Sequence, residues 1–133
     1  MFWLHGMGQS GADYLELFTE VVPPCTKVIF LNAPKRKVEG SDNQELNAWY
    51  NMKDLQSKLQ PGEDPLDRYE QVDIEASAQY LVKRVESLRR ELGDKVKVHI
   101  GGFSQGCTVS LAALVKHNFE VQSCVGICCM FKA

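Results

Sequence analysis

The sequence predicts an α/β domain built on a mostly parallel sheet, and three observations carry that prediction. Four short apolar or β-branched runs, at residues 2–4, 27–32, 95–102 and 121–129, alternate with segments whose apolar residues recur at helical spacing. Strands separated by helices need crossover connections, and crossovers leave neighbouring strands parallel. The chain has 133 residues, 44% of them hydrophobic, and neither an internal repeat nor a low-complexity segment. That is enough for one domain with its own core, spanning 1–133.

Each element has a local reason. Phe2-Trp3-Leu4 is an apolar run that ends at His5-Gly6, the end of a buried strand. Residues 11–22 place Ala12, Leu15, Phe18 and Val22 at helical spacing, and Pro23-Pro24 stops the helix. Residues 27–32 form a β-branched strand that closes before Pro34. Residues 35–68 are rich in charge, Gly, Asn and Pro around one apolar island, Ala48 to Met52, and read as a long ordered loop. From 69 to 92 the apolar positions Val72, Ala76, Leu81, Val85, Leu88 and Leu92 predict a helix ended by Gly93-Asp94. A strand at 95–102, a helix from Ser104 to about His117 and a final strand at 121–129 complete the order.

Composition narrows the function. A net charge of −2 excludes a nucleic-acid or anionic-membrane partner that requires a basic surface. The short basic clusters at 35–37 and 89–90 read as solvated faces. Five cysteines without C-x-x-C pairing, four of them in apolar runs, read as reduced, buried small hydrophobes of an intracellular protein. No set of His and Cys stands at metal-ligand spacing, so no metal is expected. The N-terminal apolar run is too short for a signal peptide and no run approaches a membrane span, which makes the cytoplasm the expected location.

The chemistry is concentrated in two glycine-rich turns. Gly102-Phe103-Ser104-Gln105-Gly106 fits the G-x-S-x-G nucleophile elbow, and it lies between an apolar strand and an apolar helix, the context that motif requires. "HGMGQSG", residues 5–11, follows another strand. Acyl transfer through a tetrahedral intermediate needs two backbone N–H donors for the oxyanion. One comes from the residue after the nucleophile, Gln105, and the other from such a loop, here Met7. The competing reading of the elbow is an anion-binding strand–turn–helix, but the G-x-G-x-x-G spacing and a phosphate-binding Lys are lacking.

"FWLHGMGQSG", "FLNAPKRKV", "NAWYNM" and "HIGGFSQGCTVSLAAL" together resemble the acyl-protein thioesterase and carboxylesterase family of α/β-hydrolases, which includes lysophospholipase-like members. The resemblance implies a serine hydrolase of acyl thioesters or esters, with no cofactor, acting on an acylated protein or a small acyl ester. It assigns Ser104 as nucleophile, with Met7 and Gln105 as oxyanion donors. It implies a partial hydrolase sheet of about four parallel strands, the second outermost, then the first, third and fourth. Trp49 and Tyr50 resemble the family's aromatic pair beside the acyl-binding region, and a core anchor is the other reading of Trp49.

The departures from the family pattern are specific. Asn51 stands where the family has Asp, and Cys107 where it has a small residue. Only 29 residues follow Ser104, and the family's catalytic Asp and His lie later than that. The family's first strands precede the oxyanion loop, so the resemblance implies truncation at both ends. Among the histidines, His117 is 13 residues down a helix from Ser104, about 20 Å away at about 1.5 Å per residue. His99 is five residues before Ser104 on one strand, and His5 shapes the oxyanion loop. All three read as structural. Three origins follow: a truncated thioesterase-like product, a non-catalytic binding or structural remnant, or a chain completed by a partner. The final strand's unpaired apolar edge favours self-association or a partner chain that covers it.

Overall fold

The computed structural model describes residues 1–53, 57–93 and 95–131. Its strands are β1 (Phe2–Leu4), β2 (Ile29–Leu31), β3 (Lys35–Val38), β4 (Gln44–Asn47), β5 (His99–Phe103) and β6 (Ser123–Ile127), and its α-helices are α1 (Leu15–Val21), α2 (Gln71–Leu92) and α3 (Gln105–His117). Four strands pair in parallel in the order β2-β1-β5-β6, the order the family resemblance implies. No helix among the described residues is long and apolar enough to cross a membrane.

Period-two alternation along β1 explains why the sheet is covered on both faces. Phe2 and Leu4 point into one core with Ile100, Leu81, Val85 and Val109 beneath α2 and α3. Trp3 points the other way, onto Tyr14 and Phe18, with ring centroids 5.6 and 5.0 Å away. Its indole lies over Gly101, where a Cβ would come within 3.0 Å of the ring and 2.6 Å of the Val125 carbonyl.

Several sequence expectations are corrected. The segment read as a loop opens with an antiparallel hairpin, β3 with β4, in register Lys35↔Asn47 to Val38↔Gln44. Its inward positions are Arg36 and Val38, and the arginine hides the alternation; Arg36 is neutralised there by an ion pair with Asp73. Asp42 and Asn43 carry the turn with φ of 53° and 55°, the left-handed region that these two residue types enter most readily. The helix at 11–22 begins as a 3-10 turn over Gly11–Tyr14 before α1. In α2 the buried stripe is Ile74, Ala78, Leu81 and Val85, whereas Val72, Ala76 and Leu92 face solvent. Gly93, at φ 84°, ends the helix; Asp94 lies outside the described residues.

The cysteines also depart from expectation. Cys25 and Cys128 are exposed and Cys124 is half-buried, while Cys107 and Cys129 form a disulfide. Cys25 follows Pro23-Pro24 and Cys128 follows β6, and both occupy turns with positive φ, 62° and 56°, where neither thiol can be buried in a strand or helix. On β6, Val125 and Ile127 are 45% and 47% exposed, and no strand among the described residues pairs with its outer edge.

Residues 57–62 are exposed and lack regular structure. Trypsin is therefore expected to cut after Lys58 before any site within α2, because backbone tied down by the Arg68 side chain opens to a protease more readily than a helix does. Peptide mapping of the first fragments checks this, and initial cleavage inside Gln71–Leu92 would contradict it.

Candidate active site

Ser104 sits between β5 and α3 with φ 52° and ψ −116°. A non-glycine residue held there stores about 1–3 kcal/mol of backbone strain. Backbone hydrogen bonds hold it: Ser104 N–H donates to the Ile127 carbonyl at 2.9 Å, and the Ser104 carbonyl accepts from Cys107 and Thr108 N–H at 3.0 and 3.1 Å. Two glycines make the turn possible. A Cβ on Gly102 would overlap the Gly106 backbone, and one on Gly106 would overlap the Leu4 carbonyl. The first turn of α3 thus lies at backbone contact with β1, which puts the elbow beside the loop that leaves β1.

That loop is fixed by its own side chains. His5 is fully buried; its Nε2 accepts the Ala33 N–H at 3.0 Å, so its proton is on Nδ1, which donates to the Gly6 carbonyl at 2.7 Å. Gln9 Oε1 accepts from Gly6 N–H at 2.9 Å and from the Tyr14 hydroxyl at 2.6 Å. Gly8, at φ 77°, donates its N–H to the Asn47 carbonyl at 2.8 Å, and Asn47 Nδ2 returns a bond to the Gln9 carbonyl at 3.0 Å. Among the described residues the N–H groups of Met7 and Gln105 have no hydrogen-bond partner. Leu4 and Gly102 are register partners, so Met7 and Gln105 each stand three residues beyond one rung of the sheet. The Gln105 donor also lies at the N-terminus of a 13-residue helix, where partial positive charge favours an anion.

The Gln105 side chain has a second job that the motif alone does not reveal. Its Oε1 accepts the Trp49 N–H at 2.9 Å and its Nε2 donates to the Tyr50 carbonyl at 3.0 Å, all buried. Trp49 Nε1 donates to the His5 carbonyl at 2.8 Å, and Ser77 Oγ donates to the Trp49 carbonyl at 2.6 Å. Trp49 and Tyr50 are 1% and 2% exposed, packed as core anchors; Trp49 also borders a groove of about 430 Å³ with Pro34, Arg36 and Tyr80. The available signal was the apolar Ala48–Met52 island, whose buried backbone has no strand partner at Trp49 and Tyr50 among the described residues and so needs side-chain partners.

The other two histidines have partners of their own. His99 Nδ1 lies 2.7 Å from Ser123 Oγ, and His117 Nε2 lies 2.9 Å from Glu75 Oε1. Burial holds the His5 pKa below its ordinary value and pushes the Tyr50 hydroxyl up to about 12. Both shifts favour the neutral form in the folded chain. Below about pH 6.5 the unfolded chain takes up the His5 proton first, so stability is expected to fall with pH there. Above about pH 10 the unfolded chain loses the Tyr50 proton first, so about 2–3 kcal/mol is expected to be lost by pH 12. Urea titrations across both ranges check the signs; a flat profile at alkaline pH would contradict the burial of Tyr50.

The whole chain, residues 1–133, matches the phospholipase/carboxylesterase family. The chain belongs to this family. Among phospholipase/carboxylesterase relatives it is 33% identical over 135 residues to acyl-protein thioesterase 1 of Yarrowia lipolytica, covering 96% of this chain and 55% of that protein. It is 31% identical over 110 residues to acyl-protein thioesterase 1 homolog 1 of Dictyostelium discoideum, covering 80% and 46%. In structure it is similar to Arabidopsis thaliana SOBER1, with a TM-score of 0.77 at 20% identity over 92% of this chain and 57% of that one. Zea mays acyl-protein thioesterase 2 gives a TM-score of 0.70 at 23% identity over 94% and 54%. These structural matches establish the α/β-hydrolase type of fold. The chain spans about half the length of the relatives it matches.

Proposed function

We propose that this chain carries the nucleophile and oxyanion hole of a serine hydrolase that cleaves acyl thioesters or esters, with an acylated protein or a small acyl ester as substrate. One observation supports the reading: the Met7 and Gln105 N–H groups have no hydrogen-bond partner among the described residues, and the first turn of α3 is in backbone contact with β1, the strand that leads to Met7. In the reaction, Ser104 Oγ attacks the acyl carbonyl carbon as its proton passes to an imidazole. The two amides bind the resulting oxyanion, and the thiolate or alkoxide departs with that proton, leaving an acyl-serine for water to cleave. The three histidines of the described fold are engaged elsewhere, so the imidazole and its carboxylate come from a segment that packs beside the open edge of β6. Trp49 and Tyr50 act in binding through the loop they anchor. No cofactor takes part.

The engagement of all three histidines also favours a second reading, a binding or structural module that keeps the scaffold without turnover. Fluorophosphonate labelling separates the two. The 133-residue chain is expected to label weakly at Ser104, because an unactivated hydroxyl is a poor nucleophile. A chimera of the same chain with a following segment of the Yarrowia lipolytica relative that carries the family's catalytic Asp and His is expected to label strongly there. A folded chimera whose Ser104 stays unlabelled would favour the module.

A further inference from the structure

We propose that Cys107 and Cys129 are a reversible dithiol–disulfide pair that clamps residues 128–131 onto the nucleophile elbow. Their Cα atoms are 5.3 Å apart, within bridging range. Cys107 is fully buried in the first turn of α3, three residues after Ser104, and Cys129 is exposed just beyond β6. The backbone is shaped for this pairing. Cys128 takes a positive φ of 56°, which turns the chain back toward α3, and a Cβ at Gly126 would overlap both sulfurs. The clamped segment then caps the elbow: Thr108 Oγ1 donates to the Met130 carbonyl at 2.7 Å, and the Tyr69 hydroxyl donates to Met130 Sδ at 3.0 Å. Thr108 in turn donates its N–H to the Ser104 carbonyl, so the segment is two bonds from the nucleophile's own backbone.

The partner chemistry is a low-molecular-weight disulfide of the glutathione class. The exposed Cys129 thiolate attacks one sulfur of that disulfide and expels the first thiolate. Cys107 then attacks the Cys129 sulfur of the mixed disulfide and expels the second. Two cysteine thiols are oxidised, the small disulfide is reduced to two thiols, and the two cysteine protons end on them. Reduction by the reverse exchange removes the covalent link, leaving the segment held by the two hydrogen bonds of Met130 and the packing of the partly buried Phe131. This inference is independent of the hydrolase reading, since it concerns the thiols and the 128–131 backbone alone.

The test equilibrates the 133-residue protein in glutathione buffers of graded redox ratio, then traps thiols by alkylation and maps peptides. Hydrogen exchange is followed at both extremes. The expected result is one intramolecular link involving Cys107 at the oxidising end, retained in Cys128→Ser and absent in Cys129→Ser. Reduction is expected to speed exchange in 128–131 by at least about tenfold while leaving α2 unchanged. A Cys107 that stays alkylatable under oxidising buffer, a link that persists in Cys129→Ser, a link between two copies, or equal exchange of 128–131 in both states would each overturn the proposal. Wild type and Cys128→Ser suffice for a decision if Cys129→Ser does not fold.

Discussion

Gly106→Ala is expected to destabilise the fold by about 3 kcal/mol or more, reversing the usual helical preference for alanine. In an exposed helix the change would gain about 1 kcal/mol. Here the added methyl would occupy the space of the Leu4 carbonyl, a backbone group in the middle of the sheet that has no rotamer to yield. Overpacking typically costs about 1–3 kcal/mol where side chains can adjust, and more where they cannot. Moving α3 away from β1 would also separate the Gln105 amide from the Met7 loop, so the damage reaches the site. Urea denaturation followed by the fluorescence of the buried Trp3 and Trp49 measures it. A midpoint equal to or above the parent's would show that α3 and β1 are not in backbone contact.

Gln105→Ala is expected to cost about 2–6 kcal/mol, although the oxyanion donor proposed at this residue is its backbone N–H. The truncation strands the Trp49 N–H and the Tyr50 carbonyl in the core, at about 1–3 kcal/mol for each unsatisfied group. Gln105→Glu keeps an acceptor for Trp49, loses the donor to Tyr50 and buries a carboxylate, so it is expected to be destabilised as well. The same urea titration serves. A Gln105→Ala protein within about 0.5 kcal/mol of the parent would show that the 49–52 loop is held by other means.

The parallel sheet was legible because β1, β2, β5 and β6 are apolar runs separated by helices, and a buried parallel strand has no other sequence form. The elbow was legible because its glycines are required by backbone contact, as Gly102 and Gly106 show. What stayed hidden is of two kinds. The β3–β4 hairpin escaped because its inward Arg36 is satisfied by Asp73, a contact 37 residues away that local patterning cannot anticipate. The Gln105 amide and the Cys107–Cys129 pair escaped for the same reason: each joins α3 to a segment far from it in sequence. Cysteine counting could not separate a buried hydrophobe from one half of a bridge. In α2, the exposed Val72 and Leu92 lie in the first and last turns, beyond the reach of the core, where apolar residues follow the helical spacing without being buried.

Ser104 is the proposed nucleophile, beside two proposed amide donors. The most direct measurement is acyl-thioester hydrolysis by the chimera described above, compared with its Ser104→Ala form and with the 133-residue chain. The expected result is turnover by the chimera, a loss of at least about 10⁴-fold in kcat on Ser104→Ala, and near-background rates for the chain alone. A folded Ser104→Ala chimera that turns over at the parent rate would contradict it.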